Sequence, residues 1–89
     1  ASKAPGGLIR IQLLAREDRI VDIEISGDFT CHPPAGIESL ADRLRGASLS
    51  ASGLVDTIAG IVDTLGLELP GVGPEHLAAA IESTRHSAT

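Results

Sequence analysis

Two runs of alternating apolar and polar residues, separated by four charged ones, constrain this chain more than anything else in it. From Leu8 to Ala15, Ile9, Ile11 and Leu13 fall on one face and Arg10 and Gln12 on the other. From Ile20 to Ser26, Val21, Ile23 and Ile25 face one way, Asp22 and Glu24 the other. A period of two marks a half-buried strand, and β-branched content supports the second run. Arg16-Glu17-Asp18-Arg19 between them has the length of a hairpin loop. The pair predicts an antiparallel hairpin with one apolar face. Such a hairpin is marginal alone in water, so the remainder of the chain must cover it.

The cover is helical. Pro33 and Pro34 set a helix start, and Ile37, Leu40, Ala41 and Leu44 recur at i, i+3, i+4 and i+7. Gly46 fits the C-terminal stop. A second helix follows Ser50 or Ser52, either of which suits the cap. Its stripe is Leu54, Val55, Ile58, Ile61, Val62 and Leu65, and Gly66 ends it. Gly60 inside that helix costs about 1 kcal/mol relative to Ala, which suggests a close packing contact. Pro74 and Glu75 open a third helix, with Leu77, Ala78, Ala80 and Ile81 on its buried side. Gly27-Asp28-Phe29 breaks the strand alternation and leaves room for a short third strand around Phe29–Cys31. Residues 1–7 read as an N-terminal arm or linker, 8–82 as a single domain and 83–89 as a frayed tail. The expected class is α+β: a small antiparallel sheet of two to three strands, then three helices packed on one face.

Composition narrows the function classes. With 89 residues and Phe29 as the sole aromatic, the core must come from Leu, Ile, Val and Ala. A core that thin in so short a chain is often completed by a partner surface. The net charge is −5, and the basic residues are scattered, which argues against nucleic acid and against an anionic membrane. No apolar run approaches a transmembrane length, and Ala1 to Gly7 lacks the apolar core of a signal peptide. The lone Cys31 excludes an internal disulfide and fits a reducing, cytoplasmic compartment.

No set of residues carries chemistry by its spacing. His32, His76 and His86 lack zinc-motif spacing, so no metal is expected. Cys31 sits before a helix start, where a low-pKa thiol can be made, yet no base or orienting group accompanies it. Gly71-Val72-Gly73-Pro74 precedes a helix and has the makings of an anion nest, but it lacks a P-loop lysine, so a plain turn is preferred. Asp28 reads better as a turn or helix cap than as an acid or base. These residues alone lead to a small acidic α+β interaction domain.

The segment Ile23 to Pro33, IEISGDFTCHP, resembles the strand–Gly-Asp-Phe–Pro signature of the lipoate–protein ligase C-terminal domain, also found as a free-standing accessory subunit. Lys3 to Ile9 (KAPGGLI) looks like that family's entry into its first strand. Ala35 to Gly46 (AGIESLADRLRG) looks like its first helix and glycine stop, and Leu69 to Glu75 (LPGVGPE) like its last loop and helix start. The likeness runs in order along nearly the whole chain. Family members commonly carry a second aromatic after the Phe, where this chain has Thr30 and Cys31.

The resemblance implies a fold similar to the SufE/NifU sulfur-transfer proteins and a role as accessory domain or subunit. In that family a catalytic domain binds ATP, Mg and lipoate, forms lipoyl-adenylate and passes the lipoyl group to an acceptor domain. The catalytic domain's glycine motif and adenylate-binding lysine have no counterpart here. The implied part is therefore support of adenylation in trans, with no catalytic residue and no cofactor bound by this chain alone. The implied partners are the catalytic ligase domain or subunit and, indirectly, lipoyl acceptor domains. Gly27, Asp28, Phe29, His32 and Pro33 are the candidate partner-binding residues. The rival expectation is a SufE/NifU-like sulfur-transfer or iron–sulfur assembly protein using Cys31, although a cluster scaffold normally needs several thiolates.

Overall fold

Glu17 and Asp18 both adopt positive φ, 53° and 61°, which is the backbone of a two-residue hairpin turn. They join β2 (Gly7–Arg16) to β3 (Arg19–Gly27) in an antiparallel ladder with Arg16 opposite Arg19. The computed structural model describes residues 2–49 and 51–87. The ladder keeps Ile9, Ile11 and Leu13 on the same side as Ile23 and Ile25, as the alternation predicts. Val21 departs from it. Leu14 pairs with Asp22 and Ala15 with Ile20, so Val21 is skipped. One extra residue inverts the alternation beyond it. Ile20 turns inward at 1% exposure and Val21 is left 46% exposed.

The third strand comes from the expected arm. β1 (Ser2–Ala4) pairs antiparallel with β2, and Ala4 stands opposite Gly7, so Pro5 and Gly6 form a tight turn. The sheet order is β1-β2-β3. Phe29–Cys31 forms no strand. His32 instead makes an isolated bridge: its N–H donates to Glu68 O and Glu68 N–H to His32 O, both at 2.9 Å.

Two of the three helices cover the apolar face directly, where all three were expected on it. α1 (Gly36–Leu44) lies over β3, and α3 (Pro74–Ser87) lies over β2 and β1. α2 (Ala51–Leu65) packs on α1 and α3 without resting on the sheet. Leu40 and Leu44 of α1, Leu54 and Ile58 of α2, and Leu77 and Ile81 of α3 are fully buried with Ile9 and Ile20. Leu and Ile burials of this kind contribute about 1.5–3 kcal/mol each, which offsets the lack of aromatics. The buried set contains no polar side chain among the described residues.

Three expectations about the helices change. Gly60 makes no close packing contact: a Cβ there would meet nothing within 4 Å. α3 continues through Ser83 to Ser87, so the expected tail is helical as far as it is described, and residues 88–89 lie outside the described residues. The expected cap Ser50 lies outside them too, as does the side chain of Ser52. α1 starts after Pro33 and Pro34, with Ala35 as its N-cap and no capping side chain. No helix among the described residues is long and apolar enough to cross a membrane.

Candidate functional site

The segments that carry the motifs converge at one end of the sheet. At the close of β3, Gly27 has φ of 144°, a left-handed region open to glycine, and any Cβ there would collide with Leu8 O. The Asp28 N–H donates to that same Leu8 O at 3.0 Å. Across this contact Gly7 sits against Asp28 O, 2.5 Å from where its own Cβ would be. On the other flank the Gly6 N–H donates to Gly71 O at 2.8 Å. The Pro5–Gly7 turn is thus clamped between Gly27–Asp28 and Pro70–Gly71, backbone on backbone.

Asp28 was expected to act as a cap through its carboxylate. Its backbone makes the contact, and the exposed carboxylate forms no hydrogen bond among the described residues. Phe29 is half-buried against the core. It lines a hollow of about 300 Å³ together with Ile25, Ser26, Gly27, Cys31, Pro34 and Ile37. His32 and Pro33 are exposed on the loop that follows. Pro33 O accepts from the Gly36 N–H at 2.8 Å. Gly27 and Phe29 therefore share one hollow, Asp28 sits on the clamp behind it, and His32 and Pro33 lie beyond it toward α1.

A second hollow of about 350 Å³ continues from the first, sharing Ile25 and Ile37. It runs between β3 and α1, lined by Asp22, Ile23, Glu24, Glu38, Ala41, Asp42 and Arg45 as well. Arg45 Nε donates to Asp22 Oδ1 at 2.9 Å, and its guanidinium also pairs with Asp42. The Arg45 hydrogen bond, helped by one from the Ile23 N–H, holds the Asp22 carboxyl below its usual range. The bonds to Asp22 and then Asp42 raise Arg45. Sequence reading did not assemble this groove, because its walls come from two elements whose side chains meet only after α1 folds back over β3. The sole linear hint is that Asp22, Glu24, Glu38 and Asp42 are acidic.

Cys31 is poorly suited to nucleophilic work. It is 9% exposed, and burial pushes its thiol pKa up, with a smaller opposing effect from the Ile37 backbone N–H. The Sγ–H donates to Pro33 O at 3.4 Å. A sulfur carrier needs an accessible thiolate, and this thiol is packed beneath Gly36 with its pKa pushed up by burial.

The Gly71–Pro74 loop does not fit a nucleotide phosphate. The Gly73 N–H, which an anion would use, donates to His76 Nδ1 at 2.8 Å. The Glu75 carboxylate crowds Gly73 as well. The arrangement is a helix cap in which the third residue of α3 reaches back to the residue preceding it. Among the described residues no three His, Cys, Asp or Glu side chains come together to hold a metal ion.

Comparison with known proteins gives one answer at three levels. Residues 1–81 match the family described as the bacterial lipoate protein ligase C-terminus. A curated relative, lipoate-protein ligase A subunit 2 of Thermoplasma acidophilum, is 40% identical over 79 residues, covering 89% of this chain and 81% of its own. A solved structure from the archaeal lipoylation system of the same organism, a bipartite lipoate protein ligase and its E2 lipoyl domain, superposes with a TM-score of 0.78 at 42% identity. It covers 89% of this chain and 86% of that one. The expected SufE/NifU likeness is not borne out by these matches, and neither is the sulfur-transfer alternative.

Proposed function

This chain belongs to the family of bacterial lipoate protein ligase C-termini, and from that premise we propose that it is the accessory part of a two-part lipoate–protein ligase. Its partner is a catalytic domain or subunit that activates lipoate with ATP and Mg and delivers the lipoyl group to an acceptor domain. The observation that carries this reading is likeness along nearly the whole chain to a second ligase subunit, in a molecule whose one thiol, Cys31, is buried.

The chemistry of activation belongs to the partner, since the loop best shaped for a phosphate is filled by His76 and Glu75. What this chain supplies is surface. Adenylation requires two substrates in register and a reactive mixed anhydride kept from water. A rigid small domain seated on the catalytic cleft orders the cleft loops and excludes water, then moves aside for transfer. Gly27, Asp28, Phe29, His32 and Pro33 form the contact end. Gly27 fixes the turn and Phe29 presents the apolar contact, while Asp28, His32 and Pro33 are the exposed residues around it. An ATP-dependent pair of this kind works in the cytoplasm, where Cys31 stays reduced.

The test is lipoyl-adenylate formation by the catalytic subunit with and without this chain. The chain alone makes no adenylate, and adding it raises the rate at least tenfold. Equal rates with and without it overturn the proposal.

A further inference from the structure

The outer edge of the sheet is closed at one end and open at the other. β3 is an edge strand. Its first residues are covered by the α1–α2 connector. The Ile20 N–H donates to Ala47 O at 2.9 Å, the Gly46 N–H to Ile20 O at 2.7 Å, and the Leu49 N–H to Asp18 O at 2.7 Å. The cover stops at the Val21 bulge. From there the backbone alternates, and Asp28 bonding to Leu8 sets the phase. Ser26, Glu24 and Asp22 face β2, so the N–H and C=O groups of Ile23 and Ile25 face away from it. The Ile23 N–H is taken by the Asp22 carboxylate at 2.9 Å. The Ile25 groups have no such partner among the described residues. An open strand edge is a template for one more strand.

We infer that the groove between β3 and α1 is where a basic, extended segment of the catalytic subunit docks, adding a fourth strand beside Asp22–Gly27. The inference rests on the accessory role proposed above and names the surface through which it acts. Length allows it: Asp22 to Gly27 offers roughly 20 Å of edge at about 3.3 Å per residue. The floor is apolar, with Ile25, Ile37 and Ala41 continuing into the Phe29 hollow. Alternate side chains of an added strand enter there, and the others lie beside Glu24.

Charge decides the occupant. Glu24, Glu38, Asp42 and Asp22 wall the groove, and the one cation lining it among the described residues, Arg45, is already committed to Asp22 and Asp42. Lys or Arg on an incoming strand finds carboxylates on both walls, and such complementarity steers encounter and fixes register. A second copy of this chain pairing edge to edge brings Asp22 and Glu24 against the same acidic residues, and like charges opposite one another destabilise a strand pair. This chain's own N-terminal strand is occupied at the far edge of the sheet.

The test combines affinity with backbone protection. The 89-residue chain is titrated against the catalytic subunit, and amide hydrogen exchange is followed on this chain in both states. Binding protects the Ile25 amide. Glu24→Lys with Glu38→Lys weakens binding at least tenfold, whereas Asp56→Lys with Asp63→Lys on α2 changes it less than twofold. Both pairs are exposed charges in folded elements, and a thermal melt of each variant verifies the fold. Retained affinity in the groove variant, with the Ile25 amide still exchanging freely in the complex, overturns the groove and leaves the accessory role standing. Absence of any binding by the unaltered chain removes the accessory role and the docking together. Protection of Ile25 by self-association, seen in sedimentation without the catalytic subunit, overturns the proposal in favour of a second copy.

Discussion

On one side of Gly27, backbone meets backbone: Gly27 against Leu8, Gly7 against Asp28, and Gly71 against Gly6, with no room for a side chain at any of them. On the other side, side chains of β3 and α1 stand around open space, and almost all of the polar ones are charged. Both regions draw on the last residues of β3, yet they respond oppositely to substitution. The clamp is part of the fold, because close contact there joins β1–β2, the end of β3 and the α2–α3 loop. The groove is nearly free of the fold, since its rim charges face solvent and exposed charges contribute little to stability. A family signature spanning this boundary therefore mixes two meanings. Its glycines are fixed by packing, and the residues of the proposed docking surface lie beside them.

The strongest test of this division is Gly27→Ala. A Cβ at Gly27 needs a positive φ that Ala avoids and collides with Leu8 O. Strain and clash together predict a loss of about 3 kcal/mol or more, read as a lower urea midpoint with unchanged slope. If Gly27→Ala unfolds within about 0.5 kcal/mol of wild type, the clamp is not the rigid element described here. Phe29→Ala comes next, at the boundary between the regions. Phe29 is half-buried, so truncation costs about 2 kcal/mol, less than a fully buried Phe. It also empties the end of the groove, so binding to the catalytic subunit falls at least tenfold under conditions where the variant remains folded. A variant that loses stability but binds normally places Phe29 wholly with the clamp.

Gly60→Ala is the matched counterpart. It is the same chemical change as at Gly27, made where a Cβ meets nothing within 4 Å and the backbone is already helical. The prediction is stabilisation by about 1 kcal/mol, measured by the same urea curves. Opposite signs at Gly27 and Gly60 show that contact, and not glycine as such, sets the cost. If both destabilise, an unseen contact at Gly60 must be sought.

The two glycines also mark how far the sequence can be read. The hairpin and the helices were legible because periods of 2 and 3.6 residues persist over whole elements, as in Ile9 to Leu13 and Ile37 to Leu44. β1 was not, since three residues are too few to display a period, although Pro5-Gly6 between Ala4 and Gly7 is a turn signal. Alternation alone puts Val21 on the wrong face, because a bulge inverts it without changing composition. Gly60 showed that an unfavourable residue in a helix need not have a packing reason. At the candidate site, the signature located the Gly27–Pro33 segment but not what surrounds it. Gly7 meeting Asp28 and Glu38 sharing a groove with Glu24 are contacts between distant positions, and no local spacing encodes them.

The smallest effect lies at the closed end of the groove, where Asp22 holds both Arg45 and the Ile23 N–H. Glu24, Glu38 and Asp42 share the groove, but Arg45 is the nearest charge to Asp22 and lowers its pKa below the usual 3.8. A carboxyl whose folded pKa is depressed contributes stability that is full above its unfolded pKa and is lost as pH falls through the folded value. Asp22→Asn keeps an oxygen able to accept both bonds and removes only the charge. Wild type therefore melts slightly above Asp22→Asn at neutral pH, and the gap narrows once pH drops below about 3.8. The pair is exposed, so the gap also shrinks in high salt. A gap that persists unchanged at low pH and in high salt shows that Asp22 acts through hydrogen-bond geometry alone. The closed end of the edge is then held by the same backbone logic as the clamp, and the electrostatic groove begins only at Glu24.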